Sequence, residues 1–286
     1  MAYSFSIGVL TDSFRADRAD ISVALQKARV CGVQGVQISA NYGAITPENM
    51  DAAARRHLKA MVQEQGLVIS ALCGDLGGGF GNPERNPELI ERSKRILDLA
   101  KELGTDVVTT HIGVVPGSKD HPRYQTMQQA CFQLAQYADS VQAHFAIETG
   151  PETAAALKAF LDGLGSTGVA VNLDPANLVM VTGDDPVQAV YTLQKYIVHT
   201  HAKDGRKLLD RDPEIIYSVR PVEEVVAEGD AFIELPLGEG DVDWPGYLKA
   251  LDEIGYNGFL TIEREVGADP EKDIRAAVQF LQAHMA

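Results

Sequence analysis

Short apolar segments alternate with helical patterns along the whole chain, and eight segments of the strand type can be counted. Each of them is rich in the β-branched and aliphatic residues that favour strands. The eight predicted strands are residues 5–10, 35–38, 68–73, 106–111, 145–148, 169–174, 197–201 and 258–263. Eight strand-then-helix units predict the α/β class and a single closed (β/α)₈ barrel, also called a TIM barrel.

A doubly wound open sheet is the alternative for a chain that alternates in this way. Such a sheet needs a glycine-rich phosphate-binding turn after its first strand. The first predicted strand instead runs into Leu10, Thr11 and Asp12. No linker divides the chain, and a length of 286 residues suits one α/β barrel. We therefore expect residues 1–286 to form one domain.

Pairs of a capping residue and a proline predict where several helices begin. Proline fits the first helical position because the N–H group there has no helical partner. Glycine at the far end predicts where a helix stops, and we place two such ends at Gly66 and Gly104. The pairs are Thr46-Pro47, Asn86-Pro87, Asp185-Pro186 and Asp269-Pro270.

One connection is much longer than the others, since residues 205–243 separate the seventh predicted strand from the next helix. Connections of this type usually contain only a few residues. In a barrel, the connection that follows a strand lies on the face that carries the active site. We therefore interpret residues 205–243 as a lid or a wall of a substrate site, with a contact between subunits as the alternative.

Four successive predicted strands each end at a residue whose side chain can bind a metal. Glu148 ends the fifth, Asp174 the sixth, His201 the seventh and Glu263 the eighth. The carboxyl ends of barrel strands surround one cavity, so we expect the four side chains to lie together. Three carboxylates and one imidazole favour Mn²⁺, Mg²⁺ or Co²⁺ over a structural zinc site, which prefers thiolates and imidazoles.

Each carboxylate in this set also has a purely structural interpretation. Glu148 could stabilise the start of the helix that follows it, and Asp174 could be a turn residue before Pro175. Glu263 could belong to an exposed charged segment, since it precedes Arg264. The placement of all three at strand ends favours the metal-binding interpretation.

Side chains alternate between the two faces of a strand, which places a second polar layer below the strand ends. Asn172, His199 and Thr261 fall in that layer, and we interpret His199 as a hydrogen-bonded core histidine. His111 ends the fourth predicted strand and is a candidate substrate contact. By the same alternation, the side chain of Lys203 points into the barrel like that of His199, so it could contact substrate oxygens. The alternative is that Lys203 is an exposed lysine.

The charge of the chain limits its partners. It has 25 basic and 40 acidic residues, a net charge of −15 with neutral histidines. This much negative charge repels phosphate backbones and anionic lipids, so we expect neither a nucleic-acid partner nor a membrane.

Three scattered cysteines form no CxxC pair, and the first residues lack the pattern of a signal peptide. These features predict a cytoplasmic protein.

Five segments carry a resemblance to a known family: IETG (147–150), NLDPANL (172–178), HTHAKDG (199–205), PLGEGDVDW (236–244) and GYNGFLTIERE (255–265). In these segments the chain resembles the xylose isomerase-like TIM-barrel superfamily, and within it the sugar phosphate isomerase/epimerase group. The resemblance implies an enzyme that binds a small carbohydrate and one divalent metal ion. It favours Mn²⁺, with Mg²⁺, Co²⁺ and Zn²⁺ as alternatives, and it implies a homo-oligomer.

The resemblance also implies roles for individual residues. It assigns the metal to Glu148, Asp174, His201 and Glu263, which are the four residues chosen above from the strand ends. It makes Glu148 and Glu263 the acid and base of catalysis. His111 matches a substrate-binding position on the fourth strand.

The chain departs from the ketose 3-epimerases of the group at three substrate-binding positions. Asn177 stands where they have a histidine, and Ala154 where they have a glutamate, with Glu152 nearby. Arg206 or Lys207 stands in place of their arginine. We take Asn177, Glu152 and Arg206 as candidate substrate-binding residues. The sequence shows no obvious basic phosphate clamp, which favours an unphosphorylated sugar or cyclitol.

These features predict a divalent-metal-dependent sugar or cyclitol isomerase or epimerase that removes a proton next to a carbonyl and forms an enediolate. A metal-dependent dehydratase or lyase, of the inosose dehydratase or 3-keto-glycoside eliminase type, is the alternative, because elimination begins with the same proton removal. A phosphodiesterase resembling endonuclease IV would need a basic face and more histidine ligands. A sugar-binding barrel without activity would be expected to have lost a metal ligand or the general base.

Overall fold

Eight parallel strands close into a barrel in a computed structural model that describes residues 3–15, 20–219 and 229–286. The strands of the chain are β1 Ser6–Leu10, β2 Gly35–Ser39, β3 Val68–Cys73, β4 Val107–Thr110, β5 His144–Glu148, β6 Val169–Leu173, β7 Ile197–Ala202, β8 Asp204–Lys207, β9 Phe232–Leu235 and β10 Phe259–Ile262. Strands β1 to β7 follow one another around the barrel, and β10 closes it between β7 and β1. The predicted (β/α)₈ barrel is confirmed, because each predicted strand agrees with a barrel strand to within one residue at either end.

Helices follow the barrel strands and cover the outside of the barrel. They are α1 Ile21–Cys31, α2 Ala52–Glu64, α3 Asn86–Leu103, α4 Pro122–Val141, α5 Ala154–Asp162, α6 Pro175–Asn177, α7 Pro186–Leu193, α8 Pro213–Ile216, α9 Trp244–Glu253 and α10 Pro270–Met285. Asp185 and Asp269 cap α7 and α10 with their side chains, as predicted. Within the described ranges, none of the helices has both the length and the apolar character that a membrane span needs.

The predicted helix start at Thr46-Pro47 is wrong. Helix α2 begins at Ala52, and the side chain of Asp51 caps it by accepting a hydrogen bond from the N–H of Ala54 at 2.8 Å. Thr46 closes a separate turn, because its carbonyl accepts hydrogen bonds from the N–H groups of residues 49 and 50. The extended backbone at Asp51, with ψ of 175°, then separates this turn from the helix. Two good capping residues stand close together here, and only the second starts a helix.

Residues 205–243 contain part of a small antiparallel sheet that the sequence did not predict. Strand β8 pairs with β9 so that Asp204 faces Leu235 and Lys207 faces Phe232. Residues 220–228 of the predicted lid lie outside the described residues. Strand β8 reads DGRK and has no apolar pattern, which explains why the strand was not predicted.

Asp204 connects this sheet to the segment that leads into α9. Its buried carboxylate accepts hydrogen bonds from the N–H groups of Gly238 at 2.9 Å and Val242 at 3.2 Å, and from the indole N–H of Trp244 at 2.9 Å. A Cβ atom at Gly240 would overlap Asp204 Oδ1, so only glycine lets the backbone pass so close to the carboxylate. One side chain therefore organises much of the segment PLGEGDVDW.

The Asp204→Ala variant should lower the free energy of unfolding by about 3 kcal/mol, because several buried donors lose a charged acceptor. Urea denaturation followed by circular dichroism measures this loss. Asp241→Asn is the matched control, because the side chain of Asp241 pairs, among the described residues, only with the half-exposed Arg206 at 2.8 Å, and we expect a change below about 0.5 kcal/mol. Equal effects of the two substitutions would show that other contacts hold the segment.

Candidate active site

Four polar side chains from neighbouring strands meet at the carboxyl end of the barrel. Glu148 ends β5, Asp174 follows β6, His201 lies in β7 and Glu263 follows β10. One ligand atom of each lies within 4.8 Å of those of the other three. The structure thus brings together the four residues that the strand ends had indicated, and we call them the strand-end cluster.

Strand register and side-chain alternation explain why these residues meet. Glu148 pairs with Asn172 across the β5–β6 ladder, and Asp174 stands two residues beyond Asn172. Residues two apart on an extended segment point to the same face. By the same rule, Glu263 stands two residues beyond Thr261, which pairs with β7. Each successive strand therefore delivers one ionisable side chain to the same side of the barrel mouth.

His201 lies among the three carboxylates. Its Nδ1 atom is 3.3 Å from Asp174 Oδ2, 3.4 Å from Glu263 Oε2 and 3.6 Å from Glu148 Oε1. Burial would lower the pKa of His201, but the charges of Glu263 and Glu148 raise it well above its usual value. Two buried carboxylates and the partly buried Glu263 thus stabilise a positive charge between them. Because an uncompensated buried charge is costly, this donor set of three oxygen ligands and one nitrogen ligand fits a divalent cation.

Asn177 joins two members of the strand-end cluster. Its backbone N–H donates to Asp174 Oδ1 at 2.9 Å, which caps the short helix α6. Its side-chain amide donates to Glu148 Oε1, also at 2.9 Å. One oxygen of Asp174 therefore has the turn role that the sequence allowed, while the other faces His201.

A hydrogen-bonded layer lies below the cluster, as predicted. His199 Nδ1 is 2.9 Å from Asn172 Oδ1, and His199 Nε2 is 3.0 Å from Thr261 Oγ1. Burial lowers the pKa of His199 well below its usual value, so the ring is neutral. The Asn172 amide then donates toward Glu148 Oε2 at 3.4 Å. His199 is the hydrogen-bonded core histidine that the sequence suggested, and this layer orients Glu148.

Gln37 belongs to the same layer and was missed by the sequence analysis. Its Oε1 atom lies 3.1 Å from His201 Nε2, and its amide donates to Thr109 Oγ1 at 2.9 Å. Gln37 can therefore accept the Nε2 proton of His201, which leaves Nδ1 facing the carboxylates. The available signal was a glutamine in the middle of β2, a strand whose residues are all buried.

Lys203 is buried, so the alternative of an exposed lysine is wrong. Its ammonium lies 3.0 Å from Glu263 Oε2 and 3.9 Å from Glu234 Oε2, and it also pairs with Glu265. Burial would raise the pKa of Glu263, but Lys203 and His201 hold it well below its usual range. Lys203 thus contacts a cluster carboxylate directly and keeps it ionised.

A cavity of about 660 Å³ adjoins the cluster at His111. The ring of His111 lies between two carboxylates, with Nδ1 at 3.2 Å from Asp75 Oδ2 and Nε2 at 3.8 Å from Glu148 Oε1. Burial alone would lower the pKa of His111, but Glu148 and Asp75 raise it to about 9. Tyr217 packs against the ring with 5.9 Å between centroids. Tyr217 lies in the segment 205–243, for which a lid or a wall of a substrate site was predicted, and it lines the cavity, although the sequence did not single out this residue.

Two further predicted substrate contacts differ in their surroundings. Glu152 is buried near His111; its Oε2 atom accepts from the N–H of Val115 at 3.3 Å, and its Oε1 atom has no partner within the described part of the chain. Arg206 is not brought to the cluster, because its half-exposed guanidinium pairs with Asp241 at 2.8 Å. Nothing in this geometry supports Arg206 as a substrate contact.

Glu152 should make stability depend on pH. Burial raises its pKa to about 8, so the folded chain keeps this carboxyl protonated at neutral pH, whereas the unfolded chain ionises it above a pKa of about 4. The free energy of unfolding therefore falls as pH rises from about 4 to about 8, and Glu152 causes no further fall above pH 8. Glu152→Gln removes this loss and keeps an acceptor for Val115. Relative to the wild type, the variant should gain a few kcal/mol between about pH 5 and pH 8, and at most about 5 kcal/mol. Urea denaturation at a series of pH values measures the difference, and a constant difference would show that Glu152 ionises normally.

Comparison with known proteins identifies the family. The family model described as xylose isomerase-like TIM barrel matches residues 25–284. The chain belongs to this family. Among xylose isomerase-like barrels, a xylose isomerase domain protein from Planctomyces limnophilus has 25% sequence identity and a TM-score of 0.77, over 99% of this chain and 96% of that protein. The resemblance drawn from the five sequence segments is thereby confirmed.

Proteins named as sugar epimerases are among those that this chain is similar to. A protein of Escherichia coli (strain K12), provisionally named an L-ribulose-5-phosphate 3-epimerase, is 25% identical over 272 residues, which cover 90% of this chain and 89% of the relative. The structure of an L-ribulose 3-epimerase superimposes with a TM-score of 0.73 at 18% identity, over 98% of this chain and 94% of that one. At this identity the second comparison shows the shared fold. The relatives of the chain include sugar epimerases and a dehydratase.

Proposed function

We propose that this protein is a divalent-metal-dependent enzyme that moves a proton next to the carbonyl group of a sugar or cyclitol, as an isomerase or epimerase. The strand-end cluster is the observation that carries the proposal, because it gathers three carboxylates and an imidazole beside an open cavity. The sugar epimerases among the relatives support a small carbohydrate as substrate.

Glu148, Asp174, His201 and Glu263 would hold the metal. When bound, the ion would act as a Lewis acid that stabilises negative charge on the carbonyl oxygen of the substrate. We propose Mn²⁺, because a donor set dominated by carboxylate oxygens suits it, and Mg²⁺, Co²⁺ or Zn²⁺ are the alternatives.

Glu148 and Glu263 would exchange the proton. Glu148 ends β5 and Glu263 follows β10, and β6 and β7 lie between these two strands in the barrel. The two carboxylates would therefore approach the substrate from different sides. Lys203 and His201 both contact Oε2 of Glu263, which leaves its Oε1 atom for the substrate. Return of the proton to the opposite face of the same carbon gives epimerisation. Return to the neighbouring carbon gives isomerisation.

Elimination is the second candidate, and Glu152 is the observation that favours it. A carboxyl group whose pKa is raised to about 8 stays protonated at neutral pH and can donate a proton to a leaving hydroxyl. His111, which lines the cavity, is among the charges that act on Glu152, so this acid lies near the cavity. A dehydratase would use the same first proton removal and then lose the group on the next carbon.

Exchange of substrate hydrogen with solvent deuterium tests the proposed function. The Mn²⁺-loaded protein is incubated in D₂O with ketoses, their phosphates, inososes and 3-keto-glycosides, and each C–H signal is followed by NMR. Deuterium at an inverted centre indicates an epimerase, deuterium with a shifted carbonyl an isomerase, and a new double bond a dehydratase. Protein treated with a chelator is the control and should show no exchange. Absence of exchange with every compound, despite stoichiometric metal, would overturn the proposal in favour of a sugar-binding role.

A further inference from the structure

We propose that the cavity beside the strand-end cluster contains a subsite for an anionic group of the substrate, either a phosphate or a carboxylate. Arg85 and Arg123 would bind this group. The inference rests on the proposed function and narrows the substrate to a sugar phosphate or a sugar acid.

The cavity has the size and position for such a substrate. Its volume of about 660 Å³ falls within the range of small-molecule sites. His111 borders both the cavity and Glu148, so a sugar with its carbonyl at the cluster would extend into this space. Arg85, Asn82 and Arg123 line the cavity together with His111.

Arg85 supplies a positive charge that no described residue neutralises. Its side chain is exposed and lines the cavity, and no acidic partner for it occurs in the ranges that the structure describes. Its guanidinium lies against the backbone of Gly78, where a Cβ atom would come within 2.6 Å of Nη1. The lack of a side chain at Gly78, whose φ is +73°, therefore leaves the space that Arg85 fills.

Arg123 lies against the same glycine-rich segment. A Cβ atom at Gly81 would lie 2.9 Å from Cδ of Arg123. One end of its guanidinium pairs with Glu214, while its Nε atom is buried and has no hydrogen-bond partner among the residues that the structure describes. A buried donor without an acceptor is costly, and an oxygen of a bound anion could supply the missing acceptor.

The balance of charge around the cavity favours an anion. Two carboxylates also border this region, but Asp75 is paired with His111 and Glu214 with Arg123. Among the charged residues that the structure describes around the cavity, Arg85 is therefore left without a counter-charge. Guanidinium groups bind phosphate and carboxylate oxygens through paired N–H donors, so two of them at one cavity match such a group. The two arginines are far apart in the sequence, which is why no phosphate clamp was evident there.

Steady-state kinetics on matched substrates tests the subsite. We expect the wild type to have a kcat/KM at least about 100-fold higher for a ketopentose phosphate or a ketouronate than for the neutral ketose, and the better of the two anions identifies the group. Arg85→Gln and Arg123→Gln should each lower kcat/KM for the preferred anion by about 10- to 100-fold, with a change below about threefold for the neutral ketose. Arg95→Gln, which removes an exposed charge from α3, is the matched control and should leave both values unchanged.

Direct binding of inorganic phosphate separates this inference from the proposed function. Isothermal titration of the Mn²⁺-loaded protein should show saturable phosphate binding that Arg95→Gln retains and the Arg85→Gln/Arg123→Gln double variant loses. If neutral and anionic sugars react equally well and the double variant binds phosphate as the wild type does, the subsite is wrong while the proposed function stands. If no compound exchanges hydrogen but phosphate binding depends on both arginines, the proposed function fails while the subsite stands.

Discussion

Replacing Glu148 or Glu263 by glutamine should lower the rate of hydrogen exchange on the substrate by at least about 1000-fold. A glutamine amide neither accepts nor returns a proton at neutral pH, and loss of a general base alone costs about 100- to 10,000-fold. Each substitution also removes one negative charge from the strand-end cluster. Proton transfer and metal binding should therefore weaken together. NMR in D₂O measures the rate, and the metal content of each variant is determined in parallel.

Glu265→Gln is the matched control for this experiment. Glu265 stands two residues after Glu263 and also pairs with Lys203, but its side chain is 63% exposed. It lies outside the cluster, so we expect less than a threefold change. An exchange rate in Glu148→Gln or Glu263→Gln that stays within a factor of ten of the wild type would contradict the assignment of these residues as acid and base.

The second large effect is the change in folding stability caused by Asp174→Asn. This change should have opposite signs with and without bound metal. Bound metal should stabilise the wild type by about 3 kcal/mol at a concentration 100-fold above its dissociation constant. Asp174→Asn should lose at least about half of that gain, because its binding of metal should be at least about tenfold weaker. Without metal, however, the variant should be at least as stable as the wild type, because it removes one of three crowded carboxylates. Asparagine can still accept the N–H of Asn177 that Asp174 Oδ1 now accepts at 2.9 Å.

Thermal unfolding with Mn²⁺ and with a chelator measures both halves of this prediction. The unfolding temperatures of the two proteins are compared in both conditions. With metal the wild type should have the higher unfolding temperature, and without metal the variant should have an equal or higher one. Asp185→Asn is a suitable control, because Asp185 also caps a helix through its side chain but lies outside the cluster. If Asp174→Asn lowers stability equally in both conditions, the role of Asp174 is to cap α6.

Some parts of this structure could be predicted from the sequence because short-range patterns determine them. The barrel strands are mostly buried segments rich in aliphatic residues, and their ends agree with the prediction to within one residue. The strand-end cluster could be predicted because strand alternation and barrel closure together decide where Glu148, Asp174, His201 and Glu263 point.

Other parts depend on contacts between distant segments. Gln37 reaches His201 across 164 positions, and Tyr217 meets His111 through a segment with no clear pattern. Arg85 and Arg123 line one cavity only because the connection after β3 and the start of α4 lie side by side. The start of α2 was misplaced for a local reason, because Thr46 and Asp51 are both good capping residues and the sequence does not show which one continues as a helix.

Binding of Mn²⁺ to the demetallated protein tests most directly the claim that the strand-end cluster is a metal site. Free Mn²⁺ is followed by electron paramagnetic resonance as the ion is added to the wild type and to Asp174→Asn. We predict one saturable site per chain in the wild type and binding at least about tenfold weaker in the variant. No saturable binding by the wild type, or equal binding by both proteins, would contradict the account.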